Sequence, residues 1–189
     1  GRRSGAFASH VARPITVAHR AGNSLRRALD AERDGIDLIE ADVWLHKGRL
    51  EVRHSKTLGP VPVRWDRWSL EGTATPSLEL AVLLDALEPR TQILHDIKGG
   101  NPELPGRLVD TVRQHRPGSP ILVCSQNWRL LERFREFPEV TLVHSIGSRR
   151  QRRAAWTRLE RDDHDAVSIH ARLLNTETVR QLKQRVSFV

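Results

Sequence analysis

Two carboxylates and two histidines could act together in this chain, and three of the four lie in the segment 38–55, LIEADVWLHKGRLEVRHS. Glu40 and Asp42 are two residues apart, so in a β-strand their side chains share one face, about 7 Å apart along the chain. Paired carboxylates repel each other unless a cation or protons lie between them. Hard divalent cations prefer oxygen ligands, so this spacing indicates a site for Mg²⁺ or Ca²⁺.

A second apolar segment supplies further charged side chains. In ILHDIK, strand alternation places Asp96 and Lys98 on one face and His95 on the other. We expect Asp96 to complete a site of three carboxylates. Lys98 would then lie beside it as a positive charge for a phosphate group.

The two histidines stand where predicted strands end. His19 ends the segment ITVAH and is followed by Arg20, while His54 continues the alternation that begins at Leu50. Histidine titrates near neutral pH, so two imidazoles beside a metal-bound anion favour paired acid and base chemistry. The side chains that could reach the rim of the same site are Trp44, Ser125, His144 and His170.

Apolar segments recur along the chain at a nearly even interval and are separated by stretches with helical spacing. The predicted helices are 24–34, 77–87, 103–115, 128–136, 149–161 and 176–184. Alternating strands and helices are typical of βαβ units with a parallel sheet. We therefore predict an α/β fold, a (β/α)8 barrel of the TIM type, with an open doubly wound sheet as the alternative. Seven strands are visible, so we expect the barrel to be incomplete at its C-terminus.

The length of 189 residues favours one domain. We predict a flexible lead at 1–14 and a single barrel domain at 15–189, with an insertion at 43–76. That insertion would contain a hairpin around Lys47-Gly48 and a long Pro, Gly and Trp-rich loop overhanging the site. The lead lacks the apolar core of a secretory signal, and since the sequence has no Met, we expect the native start to be missing.

Composition narrows the class of protein. Hydrophobic residues make up 38% and no apolar run is long enough to span a bilayer, so a soluble protein is expected. One cysteine, Cys124, fits a reducing compartment, which predicts a cytoplasmic location, with a secreted form left open. The net charge of +8 comes mainly from arginine, which is explained by a solvated surface or by an anionic substrate or membrane.

The segment AHRAGNSLRRALDAERDGIDLIEADVWLHKGRLEVRHS resembles the opening of the glycerophosphodiester phosphodiesterase family, in the phosphatidylinositol phosphodiesterase-like TIM-barrel superfamily. The similarity continues through TPSLELAVLLDAL, ILHDIK and VCSQNWRLLERF. The resemblance implies catalysis by His19 and His54. It also implies a divalent metal on Glu40, Asp42 and Asp96, and phosphate contacts from Arg20 and Lys98. This chain departs from the family pattern at Gly22 and Ser55, where the family usually has Glu and Asp, and at Asp96, where Glu is frequent.

The resemblance implies metal-dependent hydrolysis of glycerophosphodiesters to glycerol 3-phosphate and an alcohol, or a cyclic phosphate if the substrate carries a neighbouring hydroxyl. One alternative is an enzyme like phospholipase D or sphingomyelinase D, with Trp44, Trp65 and Trp68 at a phospholipid surface. The other is a non-catalytic barrel that binds anions or nucleic acid through SRRQRRAAWTRLER and Trp156. We expect a small-molecule substrate and no nucleic acid partner, and the sequence leaves the head group and the oligomeric state open.

Overall fold

The computed structural model describes residues 15–57, 63–66, 69–72, 77–159, 164–184 and 186–188. The chain divides into two compact units. The first unit is Thr16–Ser119, and the second is Pro120–Val189 together with Gly1–Ile15. The predicted lead at 1–14 lies outside the described residues, and the prediction of one domain over 15–189 stays a prediction.

The first unit is built around one long strand, β2 (Leu38–His46). β2 pairs in parallel with β1 (Val17–Ala18) and β8 (Gln92–Ile97), and antiparallel with β3 (Arg49–Val52). β3 in turn pairs antiparallel with β7 (Leu78–Glu79). The helices are α1 (Leu25–Arg33), α2 (Leu80–Ala86) and α3 (Leu104–His115). Ile39, Ala41 and Val43 on β2 are fully buried, as expected for a strand covered on its apolar face.

The predicted hairpin at Lys47-Gly48 is confirmed. Lys47 and Gly48 both have positive φ, 48° and 77°, which is the backbone of a two-residue hairpin turn. The register pairs His46 with Arg49 and Val43 with Val52. The chain therefore returns along β2, and the residues after Val52 lie next to Asp42.

The long loop predicted after the hairpin is in part a small β-sheet. Three short strands lie within it, β4 (Lys56–Thr57), β5 (Val63–Asp66) and β6 (Ser69–Gly72), and they form a separate antiparallel sheet. The backbone of such a segment finds its hydrogen bonds in strand pairing, which an unpaired loop would leave to water. The predicted helix 77–87 likewise begins later, at Leu80, because Leu78 and Glu79 belong to β7.

The second unit alternates strands with helices. Its parallel strands, in spatial order, are β9 (Ile121–Ser125), β10 (Val140–Ile146), β11 (His164–Ile169) and β12 (Val186–Phe188). Between them lie α4 (Trp128–Leu131), α5 (Arg149–Leu159) and α6 (Thr176–Lys183). The predicted helix 128–136 is α4 followed by a 3₁₀ turn, Glu132–Glu136. Side chains from β10, β11, α5 and α6 form one apolar core.

The alternation of parallel strands with helices confirms the predicted α/β fold of the TIM-barrel type. In neither unit do the described strands close into a ring, in keeping with an incomplete barrel. Among the described residues no helix has the length and apolar character needed to cross a membrane.

Candidate functional site

The structure brings the three predicted carboxylates together. Glu40 and Asp42 lie on β2 and are 4% and 1% exposed, and Asp96 lies on β8. The parallel register pairs Asp42 directly with Asp96, so their side chains leave the sheet on the same face. Glu40, Asp42 and Asp96 each offer an oxygen within 4.8 Å of the other two. His95 pairs with Ala41 and is buried on the opposite face, as the alternation predicts.

Burial and mutual repulsion raise the pKa of two of the three carboxyl groups. Burial, and then the charge of Asp42, raises the pKa of Glu40 to about 7. Burial also raises the pKa of Asp96. Burial acts in the same sense on Asp42, but Lys98 and a hydrogen bond from Asn23 outweigh it and lower the pKa of that carboxyl. Two buried carboxylates and one partly buried carboxylate with this charge balance fit a hard divalent cation.

Two cationic side chains adjoin the carboxylates. Lys98 Nζ lies 2.8 Å from Asp42 Oδ1 and donates a hydrogen bond to Asp96. Burial disfavours the ammonium, but the charges of Asp96 and Asp42 raise the pKa of Lys98 above its usual value. Arg20 donates its backbone N–H to Glu40 at 2.5 Å, and its Nε lies 3.9 Å from Asp42 Oδ2. Both predicted phosphate-binding residues therefore contact the carboxylate cluster.

Each of the two predicted catalytic histidines faces one carboxylate of β2. His19 Nδ1 lies 3.2 Å from Glu40 Oε2, and His54 Nδ1 lies 3.3 Å from Asp42 Oδ2. A carboxylate at Nδ1 orients the imidazole and selects its tautomer. Partial burial, and then the charge of Arg20, lowers the pKa of His19, which favours the neutral ring.

Sequence reasoning missed Asn23. Its Nδ2 donates to Asp42 Oδ2 at 2.6 Å, and its Oδ1 accepts from the backbone N–H of Asp42 at 2.8 Å. The amide therefore fixes both the side chain and the backbone of Asp42. The signal was present in AHRAGNS, because an amide is the side chain that can both donate and accept in this way.

The predicted rim residues have other contacts. Trp44 on β2 packs against Arg53, with the guanidinium carbon 5.0 Å from the indole centroid. In the second unit, buried Ser125 accepts from the backbone of Asn127, and exposed His170 accepts from the backbone of Arg172. His144 is buried with its Nε2 3.0 Å from Glu132. A role for these side chains in the site stays a prediction.

Gly22 marks a point where the chain has no room for a side chain. A Cβ at this position would lie 2.6 Å from the Cβ of Ala41 and 3.0 Å from the carbonyl oxygen of Glu40. The turn 21–23 thus lies directly against β2.

We expect Gly22→Ala to lower the free energy of unfolding by about 1–3 kcal/mol, because the added methyl group forces this turn away from β2. Asn23 would move with it and loosen its hold on Asp42. Gly106→Ala in α3 is the control, since a Cβ there meets nothing within 4 Å. Urea denaturation measures both variants. Equal stability of Gly22→Ala and wild type would contradict the observed packing.

The raised pKa of Glu40 predicts a pH-dependent stability in chelator. The folded carboxyl keeps its proton to about pH 7, whereas the unfolded one loses it near its ordinary value of 4.5. The native state therefore binds more protons between these values, and stability falls as pH rises through this window, by up to roughly 3 kcal/mol. Glu40→Gln should flatten this fall, whereas Glu79→Gln, an exposed carboxylate paired with Arg49, should not. Urea denaturation at pH 5 and pH 8 measures the change in the free energy of unfolding. The same change in Glu40→Gln as in the wild type would contradict the prediction.

Comparisons with known proteins identify the fold. No protein-family model matches the chain, and no curated protein matches it. A protein of Silicibacter pomeroyi, provisionally named a glycerophosphoryl diester phosphodiesterase, matches with a TM-score of 0.72 and 16% identity over 94% of this chain and 82% of that one. A protein of Agrobacterium tumefaciens with the same provisional name has a TM-score of 0.75 and 10% identity, over 93% and 84%. The glycerophosphodiester phosphodiesterase of Thermotoga maritima has a TM-score of 0.63 and 14% identity, over 95% of both chains.

The chain therefore has the fold of these phosphodiesterases. The resemblance found in its sequence is confirmed at the level of the fold. At such low identity a shared fold does not by itself establish a shared reaction. The chemistry has to be argued from the side chains of the site.

Proposed function

We propose that this protein is a metal-dependent phosphodiesterase that hydrolyses glycerophosphodiesters to glycerol 3-phosphate and an alcohol. One observation carries the proposal: three carboxylates, two of them buried and Asp96 partly buried, converge within 4.8 Å, and the two buried ones are each faced by a histidine. A cation site flanked by two proton-transfer groups is an arrangement that can cleave a phosphodiester. The fold shared with named phosphodiesterases supports the same conclusion.

Glu40, Asp42 and Asp96 would hold Mg²⁺ or Ca²⁺. When bound, the ion would offset the negative charge that accumulates on the phosphate oxygens in the transition state. Asn23 would keep Asp42 in the orientation needed for this, through its two hydrogen bonds. An all-oxygen donor set suits both ions, so measured affinities for Mg²⁺ and Ca²⁺ would decide between them.

The two histidines would divide the proton transfers. The pKa of His19 is lowered by partial burial and by Arg20, so its neutral ring suits it to act as the base that activates the attacking water or hydroxyl. His54 would act as the acid that protonates the leaving alcohol, with Asp42 3.3 Å away as the negative charge that pairs with its imidazolium. Since Nδ1 of each ring faces a carboxylate, we place both transfers at Nε2.

Lys98 and Arg20 would bind the phosphate. Lys98 Nζ lies beside Asp42 and Asp96, so it could donate to a phosphate oxygen held next to the same carboxylates. Arg20 lies on the His19 side of the cluster, with its backbone tied to Glu40. The three carboxylates alone would repel a negatively charged phosphate, and the two cationic side chains would offset this repulsion.

The test is hydrolysis of glycerophosphocholine, measured as the release of glycerol 3-phosphate. The reaction is run with added Mg²⁺, with added Ca²⁺ and with a chelator. We expect turnover with at least one ion and none in chelator. A lysophospholipid in vesicles serves as the parallel substrate for the first alternative, and binding of a single-stranded RNA tests the second. Absence of hydrolysis with every ion would refute the proposal.

Neither alternative has specific support among the described residues. Trp156, which favoured nucleic-acid binding, packs against the apolar core of the second unit. Of the three tryptophans expected at a lipid surface, Trp44 packs on Arg53, Trp65 is 49% exposed, and Trp68 lies outside the described residues. Glycerophosphodiester hydrolysis therefore remains the function that the site supports best.

A further inference from the structure

Beside the candidate site, the guanidinium of Arg53 lies over the indole ring of Trp44. The guanidinium carbon lies 5.0 Å from the indole centroid, and Arg53 is only 7% exposed. Its Nε donates to the carboxylate of Glu51 at 2.7 Å, and Glu51 is buried as well. Burying an ion pair is unfavourable unless further hydrogen bonds compensate, so the remaining contacts indicate what this pair stabilises.

Those contacts lie on both sides of His54. The carbonyl oxygen of Arg53, directly before His54, accepts from Trp44 Nε1 at 3.0 Å. The carbonyl oxygen of Ser55, directly after it, accepts from the Arg53 guanidinium. The backbone N–H of Arg53 also donates to the carbonyl oxygen of Asp42 at 3.0 Å. The backbone carbonyl groups of the residues before and after His54 are therefore both held by hydrogen bonds.

Trp44 also reaches the segment that carries Lys98. Gly99, the next residue, has a φ of 77°, and a Cβ built on it would lie 3.4 Å from the indole. The indole thus packs against the backbone after β8 while it bonds the backbone before His54. One side chain joins the two segments that bring His54 and Lys98 to the same carboxylate, Asp42.

We propose that Trp44 and Arg53 are positioning residues that fix the backbone on either side of His54 and hold its imidazole against Asp42. The consequence for turnover rests on the proposed function, while the placement of His54 does not. Trp44 acts through its Nε1–H and its ring, and Arg53 acts through the Ser55 carbonyl. Displacing a proton-transfer group by about 1 Å lowers the rate by roughly 100-fold, so both residues affect kcat although neither touches the substrate.

Two conservative variants test the proposal. Trp44→Phe keeps an aromatic ring but removes the donor to the Arg53 carbonyl, and Arg53→Lys keeps the charge but removes the planar fork. The matched controls are Trp128→Phe, which removes an indole hydrogen bond to the Ser145 carbonyl in the second unit, and Arg49→Lys on β3, which alters an ion pair with Glu79. We expect kcat to fall roughly 10- to 100-fold in the two test variants, with KM changed less than about threefold.

Imidazole ¹⁵N chemical shifts provide the second measurement, with the His54 signals assigned by their loss in His54→Ala. We expect these shifts to move in Trp44→Phe and Arg53→Lys and to stay unchanged in both controls. Unchanged His54 shifts in the two test variants would overturn the proposal, even if kcat falls. If Trp44→Phe does not fold, Arg53→Lys decides by the same criterion. Absence of hydrolysis by the wild type would instead refute the proposed function, and wild-type turnover in His54→Ala would refute the acid role of His54. In either case the shifts would still decide the positioning role.

Discussion

Hydrolysis of a glycerophosphodiester is expected to fall by roughly 10²–10⁴-fold when His19 or His54 is replaced by alanine, which is the usual contribution of a positioned proton-transfer group. The reason lies in the contacts of the two rings. Each Nδ1 faces a different carboxylate of β2, at 3.2 Å for His19 and 3.3 Å for His54. Each ring is therefore oriented for proton transfer, and alanine at either position has no group that can transfer a proton.

Steady-state kinetics with saturating Mg²⁺ or Ca²⁺ measure this loss. The matched control is His115→Ala, because His115 on α3 also pairs with a carboxylate, Asp85, at 2.7 Å but lies outside the cluster. We expect the control to retain wild-type turnover. A double variant of His19 and His54 should lose little more than either single variant if both act in the same step. Wild-type turnover in both single variants would exclude paired-histidine catalysis.

Asp42→Asn is expected to abolish both turnover and the stabilisation conferred by a divalent ion. The carboxylate of Asp42 is contacted by three side chains of the site, those of Asn23, His54 and Lys98. Asp42 is also almost completely buried. An amide keeps the size of the side chain but removes the negative charge and a strong oxygen ligand. Lys98 would then lose one of its two anionic neighbours, and His54 would face a neutral group.

Thermal unfolding with and without Mg²⁺ or Ca²⁺ separates the metal role from catalysis. An ion at about 100 times its Kd should stabilise the wild type by roughly 2.7 kcal/mol, and it should not stabilise Asp42→Asn. Asp85→Asn is the control, an exposed carboxylate in an ion pair with His115. Equal stabilisation of Asp42→Asn and wild type by the ion would show that the cation does not bind at this cluster.

Local patterns in the sequence were sufficient to predict which charged side chains share a strand face. Alternation along a strand places Glu40 and Asp42 on one face, and the same rule separates Asp96 and Lys98 from His95. Both predictions hold because a strand has a period of two whatever its neighbours are. The turn at Lys47-Gly48 is equally local, since a two-residue hairpin requires positive φ at both positions. The pattern of alternating strands and helices was sufficient for the α/β class in the same way.

Contacts between distant segments were decided only by the tertiary structure. The register of β2 with β8 brings Asp96 next to Asp42, which no spacing in the sequence specifies. Asn23 and Arg53 acquire their roles from side-chain bonds to Asp42 and to the Ser55 carbonyl, which depend on how the turn 21–23 and the segment after β3 pack. The small sheet of β4, β5 and β6 was read as a loop because short strands carry little periodicity. The sequence alone therefore determined which side chains could do chemistry, and packing decided which of them meet, because side-chain contacts between distant residues arise only when the strands are paired.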